Sequence, residues 1–364
     1  MRNVNDPLPP AKKILALDLG KFKSVACVLD VPGNSHRFET IVTSPPAVHD
    51  LLVSAQPDRL VIEACSISGW VCDLARALEI VVQVANTNGE AWNWKKVKRK
   101  SDRVDAFKLA KLSLLDQLAE VQIPLPPVRQ WKSLIKYRHS LVDRRTGIKN
   151  TIRSLLDSQG LSMPHKARAW TKRGTAELSK EAKALVECGP LELWRGQLQI
   201  EMRSLEQIGE SLAECDAKLN AMAVADERVV RLQSIPFVGP RLAELVVSTI
   251  GDARRFKNSA QVSAYAGLAP RQFQSGMMDH HGRITGQGPG LLRRVLVQAA
   301  WGMQRQEGRA KVVFERLCHG QKTRRKQAIV ALARKLLVWC WAMLRDDTTW
   351  DESAACSQAA LSTR

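Results

Sequence analysis

The stretch that decides the fold of the first domain is KILALDLGKFKSVACVLD, residues 13–30. Two short apolar runs in it are separated by Gly20 and Lys21, which predicts two strands joined by a tight turn. After the turn residues Pro32, Gly33 and Asn34, the segment SHRFETIVT alternates as a third strand would. We therefore expect an antiparallel meander.

Two more apolar runs follow, RLVIEA at 59–64 and IVVQVAN at 80–86. Each is preceded by a helical pattern, at 46–55 and at 67–78. This alternation of strands and helices predicts parallel strands. A meander followed by βαβ units gives a mixed sheet covered by helices. The expected fold class is therefore α/β plus α, with an RNase H-like domain at the N-terminus.

Composition shifts suggest where the chain divides. A helix is predicted over 102–119, after the basic stretch WNWKKVKRK, and PLPP at 124–127 is expected to end the first unit. The predicted divisions are 1–127, the mixed-sheet domain; 128–225, a connector of long helices; 226–345, a mostly helical C-terminal domain; and 346–364, a polar tail.

Aliphatic residues recur every seven positions in the two long central helices. They are Leu134, Leu141, Ile148 and Leu155 in the first, and Leu198, Leu205, Leu212 and Leu219 in the second. Four heptads predict coiled-coil packing, with each other or with a second subunit, and ordinary amphipathic core helices are the alternative. On other faces of the first helix, cations suited to phosphates are Lys136, Arg144, Arg145, Lys149 and Arg153.

The C-terminal third begins with RLQSIPFVGPRLAELVVSTIGD, residues 231–252. It reads as a helix, a Pro/Gly hairpin and a second helix, and such an element can present backbone N–H groups near Gly239 to a DNA phosphate. A tight turn that serves only packing is the alternative. A loop with GLAPRQFQSG, residues 267–276, is expected next, followed by two basic helices.

Charge indicates the class of partner. The chain of 364 residues carries a net charge of +19, of which residues 126–364 hold +17. Such an excess is typical of proteins that bind nucleic acid. The eight cysteines include no CxxC pair, so we expect reduced core thiols, and no apolar run of about 20 residues suggests a membrane span. A soluble, cytoplasmic protein is expected.

Four carboxylates of the first domain fit metal chemistry. Asp18 and Glu63 end two apolar runs, and Asp102 and Asp105 begin a helix three residues apart. Mg²⁺ prefers oxygen ligands, and two such ions can clamp the attacking and leaving oxygens in phosphoryl transfer. Turn formation by Asp18, an ion pair of Glu63 and helix capping by the two aspartates are the structural alternatives.

Seven segments together resemble one family. They are ILALDLGKFKSVACVLD, VIEA, KSDRVDAFKLA, IKYRHSLVDRRTGIKNTIRSLL, LQSIPFVGP, YAGLAPRQFQSG and QAIVALARKLLVWCWAMLR. They resemble the DEDD transposases of the IS-one-ten family, bridge-RNA-guided recombinases of bacterial insertion sequences that are related to the Piv pilin-gene invertase. The resemblance runs from about residue 12 to 345.

The resemblance implies a mechanism. Asp18, Glu63, Asp102 and Asp105 match the Mg²⁺ ligands of a RuvC-like domain, with two ions and Mn²⁺ as the substitute, and Ser275 matches a nucleophile that attacks a DNA phosphate. An element-encoded RNA selects donor and target DNA, and the active form is a multimer, a dimer or a tetramer, with a composite site. The implied location is the bacterial cytoplasm, at the nucleoid.

Two neighbours of the serine also suit this chemistry. Gly276 would let the backbone approach DNA closely, and Arg271 would neutralise phosphate charge or, alternatively, stabilise the loop. After the serine the chain departs from the family pattern with MMDHHGRITGQGPG. Nucleic-acid contacts in that segment are therefore left open.

The sequence leaves other functions open beside a transposase. Within nucleic-acid enzymes these are a protein-guided invertase or a metal-only nuclease, and from other classes a non-catalytic nucleic-acid-binding protein. A Ser-His-Asp hydrolase would use Ser275 with Asp279, His280 and His281 as possible parts of its triad. The hydrolase lacks a G-x-S-x-G elbow and leaves the charge unexplained.

Overall fold

A computed structural model describes residues 7–86, 101–165, 168–275 and 278–351, with the backbone alone for residues 274, 275 and 278–281. The chain separates into two compact units, Met1–Arg129 and Gln130–Arg364. The finer division of the second unit into a connector and a C-terminal domain stays a prediction.

The first unit contains a five-stranded mixed sheet. Its strands are β1 (Lys13–Asp18), β2 (Lys23–Asp30), β3 (Ser35–Val42), β4 (Arg59–Glu63) and β5 (Val81–Ala85). They lie in the order β3-β2-β1-β4-β5, with β1, β2 and β3 antiparallel and β1, β4 and β5 parallel. The predicted meander and the predicted parallel portion are both confirmed, and the arrangement agrees with an RNase H-like domain.

Helices cover both faces of this sheet. Alternate strand residues, including Leu15, Leu17 and Ile62, pack with α1 (Pro45–Ala55) and α2 (Ser68–Ala77) on one face. The other set, including Ala16 and Val61, packs with α3 (Asp102–Leu114) on the opposite face. This explains why β1 and β4 read as unbroken apolar runs, since a strand covered on both faces has no polar side.

Helix α3 is shorter than the sequence predicts. It spans Asp102–Leu114, whereas the apolar pattern continues to residue 119. Asp116 takes a left-handed backbone conformation, with φ of 52°, and Glu120 then forms a bridge with Ala85 beside the sheet. The chain is turned back by pairing with β5, so the predicted end of the helix was wrong by five residues.

The second unit is mostly helical. Its elements are α4 (Pro126–Ser158), α5 (Lys172–Glu181), α6 (Leu193–Ala225), α7 (Glu227–Leu232), α8 (Pro240–Ile250), α9 (Ser259–Tyr265), β6 (Pro270–Ser275), β7 (Met278–Ile284), α10 (Gly290–Met303), α11 (Arg309–Cys318) and α12 (Arg325–Asp346). The PLPP segment, where the first unit is expected to end, lies next to the boundary at Arg129, and two of its prolines open α4. Proline suits the first helical turn because its missing N–H has no partner there.

The two long helices pack against each other in antiparallel order. Ile152 and Leu156 of α4 share a buried cluster with Leu198 of α6, and Leu141 shares another with Leu212. Seven of the eight predicted heptad positions lie in or beside these clusters, although Leu134, Ile148, Leu155 and Leu205 are only partly buried, and the eighth, Leu219, is buried in the large core of the second unit. Packing of the helices with each other is therefore observed within one chain.

Helix α12 contains a long apolar stretch. The segment Lys322–Asp346 is long and apolar enough to cross a membrane, with a mean hydropathy of 1.4 over its best window. The sequence reading missed it because Arg334 and Lys335 interrupt the run. Half of that window is buried inside the unit, and Leu332, Leu336 and Cys340 lie in its core. We interpret α12 as a core helix.

The cysteines behave as reduced thiols. Seven of the eight lie in the described residues, all of them free and five of them buried. Burial raises the pKa of the Cys27 thiol to about 11 and that of Cys340 to about 12. These groups are packing residues, as the absence of CxxC pairs in the sequence indicates.

A carboxyl group is buried in the core of the second unit. Glu244 of α8 has no exposed surface, and its Oε1 lies 3.2 Å from Nη1 of Arg241. The same Nη1 lies 3.3 Å from Oδ1 of Asp216, which is also paired with Arg138. Burial is the main cause that raises the pKa of Glu244, to about 7, and Arg241 opposes it.

We expect Glu244→Gln to flatten the pH dependence of stability. Between pH 4.5, the ordinary pKa, and about 7, the unfolded chain releases this proton while the folded chain keeps it. The wild type therefore loses up to roughly 1.4 kcal/mol per pH unit as the pH rises through this window. Because glutamine mimics the neutral acid, the variant should be more stable by about 2–3 kcal/mol at about pH 8.

Urea unfolding across this pH range measures the effect. Glu210→Gln is the control, since Glu210 is exposed on α6. A variant at position 244 that keeps the wild-type slope would show that the carboxyl ionises freely in the fold.

Candidate active site

Two of the four predicted carboxylates end neighbouring parallel strands. Leu17 of β1 is paired with Ile62 of β4, so Asp18 and Glu63 are the next residues at the same edge of the sheet. Carboxyl ends of parallel strands are a usual place for ligand sites in α/β sheets. The structure brings these two residues together in register.

The same two residues also share one face of the sheet. Strand residues alternate between faces, so Asp18 follows Ala16 and Glu63 follows Val61. Ala16 and Val61 both belong to the cluster that α3 covers. Asp18 and Glu63 are therefore at the edge of the face on which α3 packs.

The other two carboxylates lie in the first turn of α3. Ser101 caps this helix by accepting a hydrogen bond from the Val104 N–H. Asp102 precedes buried Ala106 by four residues, and Asp105 precedes buried Leu109 by four. Residues four apart share a helix face, so both aspartates begin the side of α3 that packs on the sheet. Ser101 takes the capping role that was the alternative for the acids.

The four side chains do not form a closed metal shell. Over the described residues, all four carboxylates included, no three Asp, Glu, His or Cys side chains are grouped so that they could hold an ion. Asp102 is exposed and the other three are partly exposed. The donor set is oxygen alone, which fits a hard divalent cation.

Ser275 lies at the end of a strand, where the sequence predicted a loop. Strand β6 ends at Ser275, which is paired with Met278 of β7. The sequence reading missed this hairpin because MDHHGRI has no apolar alternation. Gly276 lies outside the described residues, and in the strand register Asp279, His280 and His281 are opposite residues 274, 273 and 272.

Arg271 lies four residues before Ser275 on β6. Its side chain is exposed, and its Nη2 lies 3.5 Å from the Thr285 carbonyl oxygen. This long contact across the hairpin base is the stabilising role given above as the alternative. The exposed guanidinium keeps donors that can reach a phosphate.

The predicted cations of α4 fall into two groups. Lys136 and Arg144 are exposed and Arg145 is partly exposed. Lys149 and Arg153 lie over the ring of Trp170, at 4.9 and 5.4 Å from its centroid. The first group is the freer part of the predicted phosphate-binding face, because cation–π stacking orients the second group toward the protein.

The helix-hairpin-helix element is present as two helices, α7 and α8, joined by a tight turn. Gly239 caps α8, and a methyl group built on it would meet no atom within 4 Å. Phe237 in the turn is half exposed and has a φ of 64°, a conformation rare outside glycine. Residues 242–250 of α8 are all buried, so this helix also serves packing, as the alternative expects.

Comparisons with known proteins find two family models in the chain. A model described as "Transposase IS116/IS110/IS902 family" matches residues 229–314, and a DEDD transposase model of the IS110 group matches residues 15–160. The second range contains all four carboxylates and the first contains Ser275. These names denote the IS-one-ten family that the sequence resembles.

Curated relatives are similar over much of the chain. The transposase for insertion sequence element IS1111A of Coxiella burnetii is 31% identical over 69% of this chain and 68% of its own. A probable family 20 transposase of Pseudomonas aeruginosa is 29% identical over 69% of this chain and 74% of its own. The pilin gene-inverting protein of Moraxella bovis is 30% identical over 39% of this chain and 42% of its own.

Proposed function

The chain belongs to the IS116/IS110/IS902 family of transposases, and on that premise we propose that it cuts and rejoins DNA through a covalent phosphoserine at Ser275. Membership makes it a transposase that acts on DNA, and the DEDD class implies dependence on divalent metal in general. The proposal adds the nucleophile, Mg²⁺ as the ion and an RNA guide.

The observation that carries the proposal is the shared face of the four carboxylates. Asp18 and Glu63 end parallel strands in register, on the face where α3 begins with Asp102 and Asp105. A structural role for four separate acids does not require one face and one edge. We propose a RuvC-like site here that holds two Mg²⁺ ions, with Mn²⁺ as a substitute.

Bound divalent ions would supply charge neutralisation at the attacking and leaving oxygens of the phosphate. The residues of the chain have separate tasks. The carboxylates would hold the ions, since their oxygen-only donor set suits hard divalent cations. The Arg271 guanidinium would donate to a non-bridging phosphate oxygen, where negative charge grows during attack.

The serine chemistry balances without an external energy source. Ser275 Oγ bonds to phosphorus while the bond to one DNA oxygen breaks, so the serine loses a proton and the released DNA hydroxyl gains one. A hydroxyl of another DNA end then attacks the phosphoserine, which reverses these changes and restores the serine. The phosphodiester energy is kept in the intermediate, as a recombinase requires.

We propose an element-encoded bridge RNA as guide and a homo-oligomer, a dimer or a tetramer, as the active form in the bacterial cytoplasm. The support for a second polyanion beside DNA is the +17 excess charge of residues 126–364. The alternative is a protein-guided invertase. It is favoured by the similarity to the pilin gene-inverting protein over 142 residues.

An RNA-dependence assay separates these two functions. Purified protein is incubated with labelled element ends, target DNA and Mg²⁺, with or without RNA transcribed from the flanking noncoding segment. We expect protein-linked DNA with RNA and none without it. Equal adduct in both reactions would favour the invertase, and adduct in neither would count against the phosphoserine.

A further inference from the structure

A groove runs between the β6–β7 hairpin and the first half of α12 and has a volume of about 850 Å³. We call it the basic groove. Its apolar lining residues are Leu268, Pro270, Ile284, Val330 and Ala331. It belongs entirely to the second unit and opens beside the strand that ends at Ser275. The proposed metal site belongs to the first unit and does not account for it.

Four cations line the same groove: Arg283, Arg324, Lys326 and Arg334. No carboxylate pairs with any of the four in the part of the chain that the structure describes. Behind them, burial first and then the charges of Arg316, Arg334 and Arg309 lower the pKa of Lys335. Positive charge is therefore concentrated here without internal compensation, which favours a polyanion as occupant.

An exposed aromatic ring borders the groove. Phe273 of β6 is 59% exposed. It lies over Gly282, which lines the groove, since a methyl group built on Gly282 would be 3.1 Å from Cε2 of Phe273. An exposed ring beside unpaired cations is the usual pairing of a base-stacking platform with phosphate contacts.

We propose that the basic groove binds single-stranded DNA next to the cleaved phosphate, with its phosphates on the four cations and one base stacked on Phe273. The choice of DNA rests on the proposed function, because Phe273 and Ser275 are alternate residues of one strand. The groove would hold the DNA strand in place while the serine reacts, so these five are positioning residues.

The apolar lining of the groove favours a single strand over a duplex as its occupant. A duplex presents phosphates to a protein surface, whereas a single strand also exposes bases and sugars that can cover an apolar lining. From Arg324 to Arg334 the helix rises roughly 15 Å, which is the length of about four stacked nucleotides. Strand exchange during recombination supplies such unpaired DNA.

The phosphate contacts are tested by paired charge removal. Arg324→Gln with Lys326→Gln removes two lining cations, and Arg325→Gln with Lys322→Gln removes two exposed cations of the same region that do not line the groove. The probe is a labelled single-stranded DNA of about 12 nucleotides. We expect the first pair to bind about tenfold more weakly, with the log–log salt slope smaller by about 1.4. The control pair should keep most of the affinity and slope.

The stacking contact has a different signature. Phe273→Ala should weaken binding of the same probe by about tenfold without changing the salt slope, because no charge is lost. Phe273→Trp should restore the affinity. A salt slope that falls with the alanine change would show that the ring acts only by shaping the hairpin.

Several outcomes would overturn the proposal. The first is an equal loss of affinity for single-stranded DNA in the groove pair and in the control pair. The second is tighter binding of the matched duplex than of the single strand. The third is that the groove variants lose RNA binding and keep DNA binding. The readout is binding, so Ser275→Ala should not change it. If no phosphoserine forms but the groove variants still lose single-stranded DNA, the groove stands and only the proposed function fails.

Discussion

Replacing Ser275 by alanine should remove the covalent protein–DNA adduct, with the yield falling at least about 10³-fold. The reason is that the hydroxyl that would form the phosphoester is gone. Binding of DNA and RNA should remain, because one hydroxyl contributes little to an interface dominated by many cations. Denaturing electrophoresis of labelled DNA after incubation with Mg²⁺ and RNA measures the adduct directly.

The control is a serine of the same unit without a proposed role. Ser259 is exposed at the start of α9, and Ser259→Ala should leave the adduct yield within about twofold of the wild type. An adduct that persists in Ser275→Ala would remove this residue as the nucleophile. It would leave the family and the carboxylate arrangement in place.

The sheet of the first unit could be predicted because its signals are local. Residues 13–18 and 59–63 are apolar runs closed by an acid, and the runs are unbroken because both faces are covered. The same local pattern misled the prediction at α3. Leu115 and Leu118 extend its apolar pattern, but Asp116 is held in a left-handed conformation where the chain returns to the sheet. That turn depends on contacts distant in sequence.

The candidate site also contains residues that local sequence patterns predict and a groove that depends on contacts distant in sequence. The strand ends place Asp18 and Glu63, and a serine cap places Asp102 and Asp105, so the sequence sufficed for them. The basic groove was not foreseen, because its two sides are about forty residues apart in the chain. Its signal in the sequence was the spacing of Lys326, Val330 and Arg334 along one face of α12, four residues apart.

Neutralising one carboxylate should abolish strand cleavage without unfolding the first unit. For Asp18→Asn or Asp105→Asn we expect at least about 10³-fold slower cleavage at every Mg²⁺ concentration, because an amide oxygen carries no charge to hold the cation. Asparagine is nearly isosteric with aspartate, and position 18 lies at the end of β1. The expected change in stability is therefore small. Cleavage of labelled DNA in Mg²⁺ and in Mn²⁺ measures the effect.

Asp30→Asn is the matched control for this change. Asp30 ends β2, which is antiparallel to β1, so it is paired with Lys13 at the opposite edge of the sheet from Asp18. The two variants remove the same charge from the same sheet, and only the edge differs. Equal loss of cleavage would mean that net charge is responsible, whereas wild-type cleavage in Asp18→Asn would make the shared face of the four acids structural. If the edge that holds Asp18 and Glu63 binds the metal, Asp18→Asn should lose cleavage and Asp30→Asn should keep it.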